Sequence, residues 1–179
     1  MRIETARLIL RPFLARDEDH FMALFADPAL AGDPLAALSR EDCRALFEFY
    51  LACWQEEDLA YGAIERRGDG AFLGISGLAI LREPPLCEIG WALFPRYQRQ
   101  GYAAEAARGW LDYGFGTLGL DRVVALTRRG NPRSVRVMER LAFEIDPAFV
   151  HPDGKPSADR LAFAMTAARW RALPARVAS

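Results

Sequence analysis

Lysine is nearly missing. Lys155 is the only one among 179 residues, and arginine carries the rest of the positive charge. Neither sign of charge is in excess: the formal net charge is −1, with acidic and basic residues mixed along the chain. That excludes the electrostatic footprint of a nucleic-acid binder and of a polybasic membrane anchor. Cysteine and histidine are scarce as well. Cys43, Cys53 and Cys87 form neither a CxxC pair nor a metal-ligand spacing with His20 and His151, and an odd number argues against a complete disulfide framework. A reducing, cytoplasmic setting and a site without metal are expected. No run of about twenty uncharged apolar residues occurs, and Met1 to Phe13 lacks the apolar core and cleavage site of a signal peptide. The chain is therefore expected to be soluble and unprocessed.

What is present is apolar sequence, 51% of the residues, enough to bury one core. Length favours a single domain over 1–179, with its core from about 5 to 166 and a tail at 167–179. Arg7 to Phe13 alternates as a strand does, and Asp17 to Phe25 then carries apolar residues at helical spacing. Ser39 followed by Asp42 opens a second helix whose face bears Leu46, Phe47, Tyr50, Leu51 and Trp54, an aromatic stripe suited to the core or to a cleft wall. Ala60 to Glu65 and Ala71 to Leu81 read as a hairpin around a Gly-Asp-Gly turn. Further strands are expected at Leu86 to Phe94, Asp121 to Thr127, Phe143 to Val150 and Leu161 to Thr166. Helices at Gly101 to Leu118 and Asn131 to Leu141 separate them, and a short helix closes the tail. The order β-α-α-β-β-β-α-β-α-β-β predicts an α+β (mixed α/β) fold: a mixed, mostly antiparallel sheet of about seven strands with helices on both faces.

Two strand–loop–helix segments carry the chemistry. The first runs from Cys87 to Ala107 through a proline turn, a basic loop and Gly101 into a helix start of small residues. Backbone N–H groups converging at the positive end of a helix hold a diphosphate without lysine. Gly101, Ala103 and Ala104 would let the phosphates approach, and Arg99 would add charge. Glycine beside a helix start also eases helix–sheet packing, so this loop by itself leaves both readings open. In the second, Val123 to Phe143, a strand ends at Asn131, Pro132 sits in the first helical turn and Ser134 follows. Asn131 is by itself equally a helix cap.

Taken together, the two segments resemble the GNAT acetyltransferase superfamily. Gln98-x-x-Gly101-x-Ala103 is similar to its (Arg/Gln)-x-x-Gly-x-(Gly/Ala) pyrophosphate loop. Asn131-x-x-Ser134 with Glu139-Arg-Leu-Ala-Phe143 is similar to its Asn-x-x-(Ala/Ser)…Gly-Phe segment. Glu4 to Phe13, Glu88-Ile-Gly-Trp91 and Gly101-Tyr-Ala-Ala-Glu-Ala106 resemble the branch containing the ribosomal-protein alanine N-acetyltransferases. The resemblance implies a GNAT-like fold with its fourth and fifth strands splayed apart and the pantetheine of acetyl-CoA between them, hydrogen-bonded along Ala92, Leu93 and Phe94. It also implies a pyrophosphate at Gln98, Arg99, Gln100, Gly101, Tyr102, Ala103 and Ala104, and the thiol arm near Asn131 and Ser134. Two departures stand out: Ala142 replaces the usual glycine before Phe143, and Met138 replaces a tyrosine that protonates the leaving thiolate. A thioether donates no proton.

Amine attack on a thioester needs a base, a donor to the carbonyl oxygen and an acid. Glu88 is the expected base, on the strand position that alternates with Gly90 and Ala92; an edge charge or ion pair is its plainer reading. A backbone N–H near Leu93 is expected at the carbonyl, and Ser134 at the thiolate. Glu105 is expected to order its helix start, His20 to sit at the surface, and His151 to border the acceptor. The expected activity is acetyl transfer to a primary amine of a small molecule or a protein N-terminus, and the late strands leave room for a homodimer. Two other classes are weighed. A non-catalytic acyl-CoA-binding module fits the missing tyrosine, whereas a P-loop enzyme would need a Lys-Ser/Thr pair that Gln100-Gly101-Tyr102 lacks.

Overall fold

A computed structural model describes residues 1–30, 38–56, 59–81, 86–149 and 159–174. Its strands are β1 (Ile3–Glu4), β2 (Leu8–Arg11), β3 (Tyr61–Arg66), β4 (Phe72–Leu81), β5 (Leu86–Leu93), β6 (Arg122–Arg128), β7 (Glu144–Ile145) and β8 (Arg160–Thr166). The helices are α1 (Glu18–Phe25), α2 (Arg40–Glu56), α3 (Tyr102–Gly116), α4 (Pro132–Arg140) and α5 (Ala167–Ala172). All eight strands form one sheet in the order β1-β2-β3-β4-β5-β6-β8-β7. The eighth strand, beyond the seven expected, is β1, whose two residues are too short to show alternation. The expected strand from Phe143 is cut to Glu144–Ile145. There Asp146 turns the chain, its carboxylate accepting from the Ala148 amide, and Pro147 has no N–H to extend a ladder.

Every pairing is antiparallel except β5 with β6, which is parallel and is held only at Cys87↔Val123 and Glu88↔Val124. Past Glu88 the two strands part, and these are the fourth and fifth strands of the sequence reading. Helices cover both faces. Ser76 on β4 accepts from the indole of Trp110 on α3 at 2.9 Å. The next residue, Gly77, pairs with Tyr61, whose ring lies 5.4 Å from that of Tyr50 on α2. Alternation therefore puts α3 on one face and α2 on the other, and α4 packs beside α3.

The α2 stripe goes into the core as one cluster: Phe47 and Tyr50 meet Phe13 and Phe21 at ring separations of 5.2 to 6.3 Å. Ser39 caps α2 as its spacing predicted, accepting from the Asp42 amide at 3.1 Å. Beneath α1, Arg11 pairs with Asp17 at 2.7 Å and Glu65 at 2.9 Å, so the buried Asp17 carboxylate has its counter-ion. No described helix is long and apolar enough to cross a membrane. His151, Lys155 and most of the segment from Leu30 to Leu38 lie outside the described residues.

Candidate active site

The gap between β5 and β6 opens into a cleft of about 1060 Å³ that runs to the first turns of α3 and α4. Its lining brings together Ala92, Leu93, Gln98, Arg99, Gly101, Tyr102, Ala103, Ala104, Asn131 and Ser134, residues singled out from the sequence. Phe94, Gln100 and Glu88 are not part of that lining. Phe94 is buried with its ring against Phe72, and its N–H donates to the Leu73 carbonyl at 3.0 Å. Because successive residues of a strand point their N–H groups to opposite sides, this turns the Leu93 N–H away from β4, toward the gap. Gln100 faces the surface, where its amide donates to Arg96 and its carbonyl accepts from Arg7.

The loop before α3 leaves its helix start open. Gly101 is the N-cap at φ +84° and supplies no side-chain cap, so the first N–H groups of α3 lack an intrahelical partner. Arg99 holds φ +61°, an unusual left-handed conformation for a residue with a side chain. Gln98 acts as a strut: its amide donates to Leu93 O at 2.9 Å, and its carbonyl oxygen accepts from Arg133 at 2.6 Å, tying the loop to β5 and to α4. Glu105 is anchored to the β1–β2 hairpin, accepting from Thr5 at 2.6 Å and from the backbone and side chain of Arg7 at 2.7 and 2.6 Å. Burial pushes its carboxyl pKa up, but these donors outweigh it, so the net shift is downward and Glu105 stays ionised.

Asn131 caps α4. Its side chain accepts from the Ser134 amide at 3.2 Å, which leaves the Ser134 hydroxyl to the cleft. One turn on, Met138 is buried in the core and packs. Ala142 shows what the usual glycine is for. It sits at φ +59° just past the end of α4, with its N–H on Glu139 O and the next N–H, of Phe143, on Met138 O, the paired bonds that close a helix with a left-handed residue.

Glu88 lies at the closed end of the gap, the last residue at which β5 still pairs with β6. Its strand position shares a face with Gly90, over which the Tyr61 hydroxyl lies so closely that a Cβ there would come within 2.2 Å of it. Burial pushes the Glu88 carboxyl up to about 7. The adjacent Cys87 is buried, and burial with the nearby Glu88 charge pushes its thiol up to about 12, so it is a neutral thiol and no nucleophile. His20 is exposed and stacked on Phe72. Among the described residues no three His, Cys, Asp or Glu side chains gather as a metal site requires.

Sequence reasoning missed Trp91 and the arginines of α4. Trp91, Arg133, Arg136 and Arg140 also line the cleft. The three arginines recur at i, i+3 and i+7, a single helix face that helical periodicity could have revealed. Trp91 carried no such signal, because its exposure depends on where β6 diverges.

The comparisons with known proteins agree with this geometry. The family model described as an acetyltransferase (GNAT) domain matches residues 7–144. The N-acetyltransferase YoaA of Bacillus subtilis is 29% identical over 160 residues, covering 86% of this chain and 90% of YoaA. Among solved structures, an acetyltransferase from Agrobacterium tumefaciens superposes with a TM-score of 0.79 at 28% identity, covering 92% of this chain and 94% of its own. A GNAT-family acetyltransferase from Bacillus anthracis gives 0.78 at 25% identity, covering 94% and 99%. With a splayed parallel pair, an uncapped helix start at its mouth and a matching family model over most of its length, the chain belongs to the GNAT acetyltransferase family.

Proposed function

We propose that the cleft binds acetyl-CoA and that the enzyme transfers the acetyl group to a primary amine by direct attack in a ternary complex. The observation that carries this reading is the continuity of the gap between β5 and β6 with the open start of α3. Pantetheine would complete the separated strands as an added strand, and the pyrophosphate would meet the α3 N–H groups. The residues fit that ligand: small side chains at Gly101, Ala103 and Ala104 clear the approach, and the nearby charge is arginine.

In this arrangement the Leu93 N–H faces the thioester carbonyl oxygen and stabilises the charge that develops there. The amine lone pair attacks the carbonyl carbon, the C–N bond forms, and the C–S bond breaks with its electron pair on sulfur. Glu88 takes the proton lost from nitrogen, directly or through a water. The Ser134 hydroxyl donates to the departing thiolate and is reprotonated from solvent. The amine would approach from the face that carries Glu88, Gly90 and Tyr61, leaving the acceptor either a small molecule or a protein N-terminus.

Thiol release from acetyl-CoA, followed with a panel of amines and peptides, tests the reading. Turnover should rise with pH through about 7 as Glu88 loses its proton. The stability effect has the opposite direction. A carboxyl held above its ordinary range favours the protonated fold, a contribution present at low pH and lost as pH rises through about 7. Glu88→Gln should therefore lower turnover by roughly 10²–10⁴-fold and raise the melting temperature at alkaline but not acidic pH. An unchanged rate and pH profile would remove Glu88 as the base.

A further inference from the structure

On the face of β5 that carries Glu88, a second polar group stands beside it. Tyr61 on β3 pairs with Gly77 on β4, and Gly77 pairs with Gly90 on β5, so the three lie in one row across the sheet. Neither glycine has room for a side chain. A Cβ on Gly77 would come within 2.3 Å of the Ala60 carbonyl oxygen and 2.5 Å of Tyr61 Cα, and one on Gly90 would meet the Tyr61 hydroxyl at 2.2 Å and its ring at 2.8 Å. Neither adopts a positive φ, so the approach of Tyr61, and not the backbone conformation, is what glycine serves here. The ring crosses β4 on this floor and sets its oxygen on β5. Tyr50 packs on it at 5.4 Å, and the Trp54 indole donates to the Tyr61 carbonyl at 2.9 Å, which holds it in place. Packing accounts for a ring on two glycines, and phenylalanine would fill the same space. The oxygen falls at the end of the ring that reaches the strand carrying Glu88.

Glu88 is the next residue on that face, roughly 6.5 Å along the strand from Gly90. A nitrogen hydrogen-bonded to two oxygens at about 2.9 Å each spans up to ~5.8 Å between them, a separation that the two-carbon arm of Glu88 can match. Tyr61, Glu88 and Gly90 are each half-buried, so the row is open to an incoming molecule. Among the described residues Glu88 makes no hydrogen bond or ion pair, and burial alone lifts its carboxyl. Its oxygens are left to a substrate.

We propose that the Tyr61 hydroxyl oxygen and Glu88 together hold the attacking nitrogen, one N–H on each, and so make the enzyme select primary over secondary amines. This rests on the acetyl-transfer reading above and adds a residue that reading does not require. A neutral primary amine has two N–H donors and one lone pair, and a phenol oxygen accepts as well as donates. With both donors engaged along the row, the lone pair is directed at the carbonyl carbon in the gap between β5 and β6. As the C–N bond forms and the C–S pair leaves on sulfur, nitrogen gains positive charge and its bonds to both oxygens strengthen. The proton goes to Glu88, and Tyr61 neither gives nor takes one. A secondary amine has a single N–H, which Glu88 requires, so its second alkyl carbon would stand where the Tyr61 oxygen accepts.

Thiol release from acetyl-CoA by the full chain tests this with two matched pairs, methylamine against dimethylamine and glycinamide against N-methylglycinamide, in the wild type and Tyr61→Phe. Glycinamide stands for a protein N-terminus. A hydrogen bond to a nitrogen that is gaining charge corresponds to a wild-type preference of roughly ten- to a hundredfold for the primary amine of each pair. Tyr61→Phe keeps the ring on its two glycines, so melting temperature and KM for acetyl-CoA should not change. Its kcat with the primary amines should fall by roughly ten- to a hundredfold, and its rates with the secondary amines should change less than about twofold. Because Tyr61 exchanges no proton, the midpoint of the pH–rate profile should stay where Glu88 sets it. The wild-type comparison needs no variant, and equal wild-type rates within each pair overturn the inference while leaving acetyl transfer intact. A preference that survives in Tyr61→Phe would be steric, and an equal slowing of both members would make the hydroxyl structural; either result also overturns it. A wild type that binds acetyl-CoA yet releases no thiol with these amines or with the wider panel overturns the acetyl-transfer reading, and the inference with it.

Discussion

Two helix starts border the same cleft, and they end their orphan amides in opposite ways. At α4 the protein closes its own helix: Asn131 accepts from the Ser134 amide, and Pro132 occupies the first turn, where a missing N–H costs nothing. At α3 the cap is Gly101, with no side chain to accept anything, reached through Arg99 in a left-handed conformation. Both follow a strand and a short loop. The difference teaches that a candidate anion site is marked by what the chain declines to supply. The α4 start satisfies one of its own amides, whereas the α3 start, fixed to its surroundings by Gln98 and Glu105, leaves its amides open to the pyrophosphate proposed there.

Filling the open start should have the largest effect. Gly101→Glu forces a side chain into a φ of +84° and puts a carboxylate beside Arg7 and Arg140. CoA affinity measured by calorimetry should fall by more than roughly a thousandfold, since the charge-assisted bonds and the access are lost together. Retained binding would break the distinction between the two helix starts. Next is the hydroxyl that the α4 cap leaves free. Ser134→Ala should lower turnover by roughly ten- to a thousandfold at saturating acetyl-CoA with smaller change in CoA affinity, and the buried Met138→Leu should be nearly silent. Equal rates for Ser134→Ala and wild type, with chemistry limiting, would take Ser134 out of the mechanism.

Removing the α4 cap should act on the fold more than on the ligand. Asn131→Ala is expected to cost about 1 kcal/mol, read as a drop of a few degrees in melting temperature. A loss of CoA affinity much larger than the loss of stability would show Asn131 to be a ligand contact as well. The smallest effect belongs to the far end of α4. Ala142→Gly relieves a left-handed alanine at φ +59°. It should stabilise by roughly 0.5–1 kcal/mol after the greater unfolded-state freedom of glycine is set against it. Turnover should not change.

Much of the site was legible beforehand because it is local. Gly101, Asn131 and Ser134 stand within one turn of a helix start, so spacing places them there, while the roles expected of them came from the family resemblance. The capping of α2 by Ser39 and the aromatic stripe ending at Trp54 were legible for the same reason. The short β7 was not, since the Asp146 turn ends a run whose composition still favours a strand. Nor was Phe94 legible as a core residue: alternation names its face, but only pairing with Leu73 fixes which way its N–H points.

The sequence by itself determined the order of the elements, the motif spacings and the helix starts at which backbone amides are left without a side-chain cap, because these depend on neighbours along the chain. Only the tertiary structure decided where β5 and β6 part and how far burial lifts Glu88 toward neutrality. It alone brought Arg7, Arg99 and Arg140, from three separate elements, to one bend around the start of α3. Desolvation and Coulomb repulsion depend on distance through space, and residues remote in sequence acquire that distance only when the sheet is assembled.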